Sequence, residues 1–188
     1  EGRLKALHYE AKRFFEPVHI SCLDTGEYTT RKEISSERYF DYATKARIFV
    51  NNDTLEDCVG EVEWKLVSAD GEIIERGSKK VAIGALSVLA LDEIDFNKTD
   101  VRRNYVSYTL KIDCKVVSRG ITLFTKPKHF DFIDPQLKLE VNGDTITVKS
   151  VAMAKYVYIY NENEDLILSD NYFDMDKGER QIKILSGD

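Results

Sequence analysis

The sequence predicts an all-β protein: two consecutive immunoglobulin-like antiparallel β-sandwich domains, preceded by a short N-terminal helix. Apolar residues recur at every second position through most of the chain, and turn residues separate the alternating runs. Prolines occur only at positions 17, 127 and 135, and proline fits poorly inside helices and central strands. We therefore predict a helical segment at 1–16, a first sandwich at 17–126, a linker at 127–136 and a small second sandwich at 137–188.

The N-terminal segment has a helical pattern. Leu4, Leu7, Ala11 and Phe14 recur at steps of three and four, which places them on one stripe of a helix. A lone helix of this length is marginal in water, so its apolar stripe needs a partner surface. We expect that surface to lie outside this sequence.

The first sandwich is predicted from alternation with a period of two. In the run GEVEWKL, Val62, Trp64 and Leu66 face one way, while charged residues face the other. The same pattern places Ala46, Ile48 and Val50 on one face, and Val106, Tyr108, Leu110 and Ile112 on another. Asp70-Gly71 predicts a hairpin turn before a strand with Ile73, Ile74 and Arg76. Further strands are expected at 81–83, 87–96 and 116–124, which makes roughly seven, as in an immunoglobulin-like sandwich.

The second sandwich begins with the alternating residues Leu137, Leu139 and Val141 and turns at Asn142-Gly143, a strong hairpin signal. Two more strands are expected at 155–160 and 180–185. The segment is short for a sandwich, and the sequence leaves open whether a last strand is missing.

Composition narrows the function classes. A formal net charge of -6 argues against nucleic acid as a partner. The longest stretch free of charge, Val81–Leu91, is too short to span a membrane, so we expect no membrane association. The chain has an odd number of cysteines, Cys22, Cys58 and Cys114, and none of them has CxxC spacing. This favours reduced, packed thiols over disulfides or a zinc site. Reduced thiols favour the cytoplasm and leave the periplasm open.

The sequence offers no recognisable catalytic, cofactor-binding or metal-binding residues. The three histidines lie far apart, and no glycine-rich phosphate loop is present. The run from Asn161 to Asp165 starts like a calcium loop, but Leu166 and Tyr172 stand where glycine and glutamate are needed, so a polar turn is favoured. A second acidic group is either a cation site or a capped turn, and we favour the turn; it comprises Asp170, Asn171, Asp174 and Asp176.

The tyrosines Tyr156, Tyr158 and Tyr160 are the most prominent surface candidates. They alternate on one predicted strand, opposite Val157 and Ile159, and so present three phenol rings on a single face. Such a face has two interpretations: an oligosaccharide-binding platform or, more often, a domain contact.

Three stretches of the chain together resemble a known family: KALHYEAKRFFEPVHISC, SRGITLFTKPKHFDFIDPQLKLEV and SDNYFDMDKGE. They are similar to the region after the catalytic barrel in β-mannosidases of glycoside hydrolase family 2. The intervening runs NNDTLEDCVGEVEWKL and GEIIERG also fit.

The resemblance implies a parent enzyme that removes β-linked mannose from non-reducing ends with retention, using two glutamates upstream of Glu1. The N-terminal helix would then be the last helix of the barrel. The partner of this chain would be the catalytic barrel domain of the same parent, and no residue here inherits a catalytic role.

Overall fold

A computed structural model describes residues 4–24, 44–97, 99–163 and 165–187. Helix α1 comprises Ala6–Phe14 and precedes all the strands of the described residues. The strands before residue 127 are β1 Val18–Asp24, β2 Lys45–Asn52, β3 Cys58–Ser68, β4 Ile73–Ile83, β5 Ser87–Ala90, β6 Ile94–Asp95, β7 Asn104–Ile112 and β8 Lys115–Leu123. Those after it are β9 Lys138–Asn142, β10 Thr145–Ser150, β11 Ala154–Val157, β12 Ile167–Leu168, β13 Phe173–Met175 and β14 Gly178–Ser186. No helix in these ranges is long and apolar enough to cross a membrane.

Strands β1 to β8 form two antiparallel sheets that pack face to face. One sheet has the order β1-β2-β5, with β6 also paired to β2, and the other has the order β4-β3-β7-β8. Their shared core contains the residues that the alternation placed inside, because side chains two apart on a strand lie on one face; it includes Ala46, Ile48, Val50, Val62, Leu66, Val106 and Leu110. The predicted all-β, immunoglobulin-like fold is confirmed.

Two predicted strand boundaries were wrong in this domain. The expected separate strand at 81–83 is the end of β4, which pairs with β3 along its whole length. The expected strand at 87–96 is divided into β5 and β6. Between them Leu91 is buried and its N–H donates to the carbonyl of Ile48 at 2.9 Å, so the chain bends inward there.

Strands β9 to β14 form the second domain. A sheet of order β12-β14-β10-β9 faces the β11-β13 pair, and the core between them includes Ile146, Val148, Phe173, Met175 and Ile182. Leu139 and Val141 pair with core residues of β10, yet they are 51% and 61% exposed. The alternation predicted their face correctly, but β9 is the edge strand and the described part of the opposite pair does not cover it.

The predicted strand at 155–160 is shorter in the structure. Strand β11 ends at Val157, and its register with β13 shifts between Ala154 and Val157. Tyr156 has a φ of +55°, in the left-handed region, which interrupts regular pairing at this position.

A third apolar cluster joins the two domains. Val67, Tyr105 and Leu123 of the first domain pack with Phe130 of the predicted linker and Met153 of the second domain. The N–H of Met153 donates to the carbonyl of Ala69 at 3.3 Å, and Asp131 N–H donates to the carbonyl of Arg102 at 2.7 Å. The domains therefore meet through a packed interface, while the predicted boundaries between them stay a prediction.

Candidate functional site

Helix α1 turns its apolar stripe away from the rest of the chain. Leu7 is 73% exposed and Phe14 is 49% exposed, whereas Tyr9 is 2% exposed. Because successive helical residues are about 100° apart around the axis, Leu7 and Tyr9 project to nearly opposite sides. Of the predicted stripe, Leu7 and Phe14 are thus exposed, whereas Leu4 and Ala11 are partly buried; the face that carries Tyr9 is the one that contacts the chain.

The contacting face of α1 lies against the segment Ser169–Tyr172, between β12 and β13. Lys12 Nζ donates to the carbonyl of Ser169 at 2.8 Å. The Arg13 guanidinium donates to the carbonyls of Asn171 and Tyr172, each at 3.1 Å, and pairs with the carboxylate of Asp170. A helix at the start of the chain is therefore bound to the end of the second domain.

The Asp170 carboxylate is shared by two guanidinium groups. Its second oxygen accepts from Arg180 Nη2 at 2.5 Å, and Arg180 Nη1 donates to the carbonyl of Asp174 at 3.0 Å. The Arg180 guanidinium also lies over the Phe173 ring, 4.1 Å from its centroid. Burial lowers the pKa of Arg180 to about 10, against the attraction of Asp170. Asp170 thus supplies the opposing charge that offsets part of the effect of burial on this guanidinium.

The acidic group around Asp170 is a capped turn. Asn171 is buried; its Oδ1 accepts from the N–H groups of Ile159 and Tyr172, both at 2.9 Å, and its Nδ2 donates to the Ile159 carbonyl at 2.8 Å. Asp174 accepts from Lys155 Nζ at 2.6 Å and from the Tyr156 N–H at 2.9 Å. The turn interpretation therefore holds for Asp170 and Asn171, which accept from backbone N–H groups, whereas Asp174 lies in strand β13. Within the described ranges no group of three or more histidine, cysteine or acidic side chains is arranged to hold a metal ion.

The three candidate tyrosines are exposed, as the alternation predicted. Tyr156, Tyr158 and Tyr160 are 58%, 54% and 61% exposed, while Val157 and Ile159 are buried. The Tyr158 ring lies between those of Tyr172, at 4.6 Å between centroids, and Tyr160, at 5.4 Å. The Tyr9 ring of α1 contacts Tyr172 at 6.1 Å. We call Tyr9, Tyr172, Tyr158 and Tyr160 the tyrosine stack.

The stack arranges the rings differently from a carbohydrate platform. The interplanar angles of 18° and 16° show that the Tyr158 ring is nearly parallel to the rings of Tyr172 and Tyr160 and stacks with both, while Tyr158 stays 54% exposed. The ring of Tyr156 has Lys155 Nζ over it, 4.3 Å from the centroid. A sugar packs on an open ring face, and Tyr160 at the end of the stack is the most exposed candidate. Carbohydrate binding by these tyrosines stays a prediction.

A cleft of about 470 Å³, lined by both polar and apolar side chains, lies between α1, the strands β1, β7 and β8, and the β13–β14 segment. Each of its four lining carboxylates has a partner in the described chain. Glu10 pairs with Arg13 at 2.8 Å, Asp174 with Lys155, Asp176 with the Ser107 hydroxyl at 2.7 Å, and Glu179 with Lys149 at 3.6 Å. Three of these contacts lie within α1 or within the second domain, and only the bond from the Ser107 hydroxyl to Asp176 joins the two domains.

The cysteines are free thiols with different surroundings. Cys22 and Cys58 are partly buried, and burial raises the pKa of Cys22 to about 12. Cys114 is exposed in the turn between β7 and β8, so the expectation of packed thiols was wrong at this position. Cys58 and Trp64 lie on the same strand, β3.

Family comparisons match both domains. A profile described as a mannosidase Ig/CBM-like domain matches residues 44–129, and one described as an Ig-fold domain matches residues 132–186. The chain is a mannosidase Ig/CBM-like domain joined to an Ig-fold domain. Both matches are to immunoglobulin-like domains, the first of them of mannosidase type, which confirms the resemblance drawn from the sequence.

Solved structures show the same fold. The β-D-mannosidase of Dictyoglomus thermophilum superposes with a TM-score of 0.71 at 18% identity, over 97% of this chain and 21% of that one. The exo-chitosanase of Amycolatopsis orientalis gives a TM-score of 0.60 at 17% identity, over 94% of this chain and 24% of that one. The accessory domains thus span under a quarter of the length of either enzyme. No curated protein sequence matches the chain.

Proposed function

We propose that this chain is the non-catalytic accessory region of a glycosidase and that it holds its two domains against a catalytic barrel of the same parent protein. The observation that supports this role is that the two sides of helix α1 have different surroundings. One side is bound by the second domain, and the opposite side exposes Leu7, Phe14 and Phe15 by 73%, 49% and 77%. Burying such side chains contributes about 1.5–3 kcal/mol each, so this side is suited to an apolar partner surface.

The proposed parent removes terminal β-linked mannose from non-reducing ends with retention of configuration. Support comes from the mannosidase description of the first domain and from the β-mannosidase that matches 97% of the chain. The exo-chitosanase match over 94% makes β-linked glucosamine the competing substrate. An assay of the parent on aryl β-D-mannoside and aryl β-D-glucosaminide distinguishes the two. Faster hydrolysis of the glucosaminide would contradict the mannose assignment.

The accessory role is tested in the parent protein through α1. Leu7→Ser and Phe14→Ser should lower the thermal stability of the parent and its hydrolytic activity, because each places a hydroxyl in the proposed apolar contact. Leu55→Ser is the matched control, since Leu55 is 82% exposed in the β2–β3 loop of the first domain. Equal effects of all three variants would contradict a specific contact at α1, and so would hydrolysis of either aryl glycoside by the purified chain alone.

A further inference from the structure

We propose that the segment Ser169–Tyr172 is a docking site for α1 that fixes the rotation of the helix, so that the second domain decides which side of α1 meets the barrel. The inference rests on the proposed function for the identity of that partner. The contact between α1 and the second domain lies within this chain, so it is tested without the parent protein. Arg13 is the main positioning residue in this arrangement.

Helix α1 depends on an external contact to hold its position. It has nine residues, no side-chain cap at Lys5 and no acidic residue in its first turn, and such a short helix is marginal in water. Among the described residues, the hydrogen bonds that its side chains make outside the helix all end on Ser169–Tyr172. The first domain is joined to α1 by the short segment that contains Pro17, and the second domain supplies the side-chain hydrogen bonds that hold the helix.

Two contacts on one side of α1 fix its rotation. Tyr9 and Arg13 are four residues apart and so project from the same face of the helix. The Arg13 guanidinium is planar with fixed donor directions, and it engages the Asn171 and Tyr172 carbonyls together with the Asp170 carboxylate. The Tyr9 ring contacts the Tyr172 ring one helical turn away. A turn of the helix by one residue, about 100°, would break both contacts.

The backbone of the docking site has an unusual conformation at the same place. Tyr172 has a φ of +51°, a left-handed conformation that is strained for a bulky residue and is found often at functional sites. Its N–H is held by Asn171 Oδ1 at 2.9 Å. Its carbonyl accepts from Arg13 and its ring lies between Tyr9 and Tyr158. The strained residue thus serves both contacts with α1.

The test is hydrogen–deuterium exchange on the 188-residue chain with Arg13→Ala. We expect exchange of the α1 amides to accelerate about tenfold or more, since hydrogen bonds to a charged group are the strong ones. Arg13→Lys should give an intermediate acceleration because lysine keeps the charge without the planar fork. Lys5→Ala is the matched control, an exposed basic residue at the helix start, and should change exchange less than about twofold.

Peptides from β10 and β14 report whether the second domain itself stays folded. Loss of protection confined to α1 supports the docking site. Unchanged protection in Arg13→Ala would overturn the proposal, and so would a loss shared equally by β10 and β14, because Arg13 would then support the domain and not the helix. In the parent, Leu7→Ser tests the barrel contact separately. A null result there leaves the exchange result standing and contradicts only the proposed function.

Discussion

The second domain and α1 both depend on the negative charge of the Asp170 carboxylate. We predict that Asp170→Asn, which keeps the shape and removes the charge, destabilises the second domain and loosens α1 together. The amide oxygen can still accept from the Asn171 N–H, which lies 2.8 Å from Asp170 Oδ1. The two arginine contacts, however, become hydrogen bonds to a neutral acceptor.

The size of the effect follows from the burial of the three side chains. Hydrogen bonds to charged partners contribute about 1.5–3 kcal/mol and neutral ones about 0.5–1.5 kcal/mol, so two weakened contacts cost about 2 kcal/mol. Removing one partner of a fully buried pair costs about 3–5 kcal/mol. Because Arg180, Asp170 and Arg13 are 17%, 18% and 28% exposed, water can replace part of the lost contact, and we expect a value near the lower figure.

Urea unfolding followed by circular dichroism gives the free energy of unfolding, and hydrogen exchange assigns the loss to β10 and β14. Glu162→Gln is the control for the same loss of charge, at an exposed residue between β11 and β12. A loss below about 0.5 kcal/mol for Asp170→Asn, typical of an exposed ion pair, would refute the argument. So would an effect matched by Glu162→Gln.

Three further outcomes are expected. Unfolding free energy should fall as pH rises above about 9, because burial raises the pKa of Cys22 from 9.0 to about 12 and the folded state therefore retains a proton that the unfolded chain releases. Cys22→Ala should reduce this fall without abolishing it, because burial also raises the pKa of Cys58. Gly120→Ala should cost about 1–3 kcal/mol in urea unfolding, because its Cβ would lie 2.4 Å from the Tyr108 hydroxyl, and an unchanged midpoint would contradict this. Calorimetric titration with manno-oligosaccharides should show no heat at millimolar ligand, and heat that Tyr160→Ala abolishes would instead favour a binding module.

The alternation in the sequence predicted well which segments form strands, but it predicted poorly which faces of those strands are buried by other parts of the chain. Alternation identified the buried side of β2 because the sheet that contains β2 packs against the second sheet of the same domain. It also identified the face of Leu139 and Val141 on β9, which the structure leaves exposed. Conversely Tyr105, assigned by alternation to the outer face of β7, is fully buried under the second domain. Period two tells which side a residue takes, and only tertiary packing decides whether that side is covered.

The candidate site was less predictable because its contacts are distant in sequence. Arg13 and Asp170 are 157 residues apart, and neither has a local pattern that selects the other. The tyrosine face was recognised, but its stacking depends on Tyr172, which the sequence suggested only as a departure from a calcium loop. A spacing of two residues on a strand gives rings side by side, whereas Tyr158 and Tyr160 lie beyond the end of β11 and their rings stack, with Tyr172 stacked on Tyr158 as well.

The contacts at Asp170 close a path through the whole chain. Helix α1 is joined covalently to the first domain through Pro17, the first domain packs on the second through Tyr105 and Met153, and the second domain returns to α1 through Arg13. If α1 and the two domains were connected only end to end, each connection could move independently. Because their contacts form a closed path, movement at one contact requires strain at the others. A change at Asp170 should therefore affect the orientation of both domains relative to α1, and through α1 their placement on the proposed barrel.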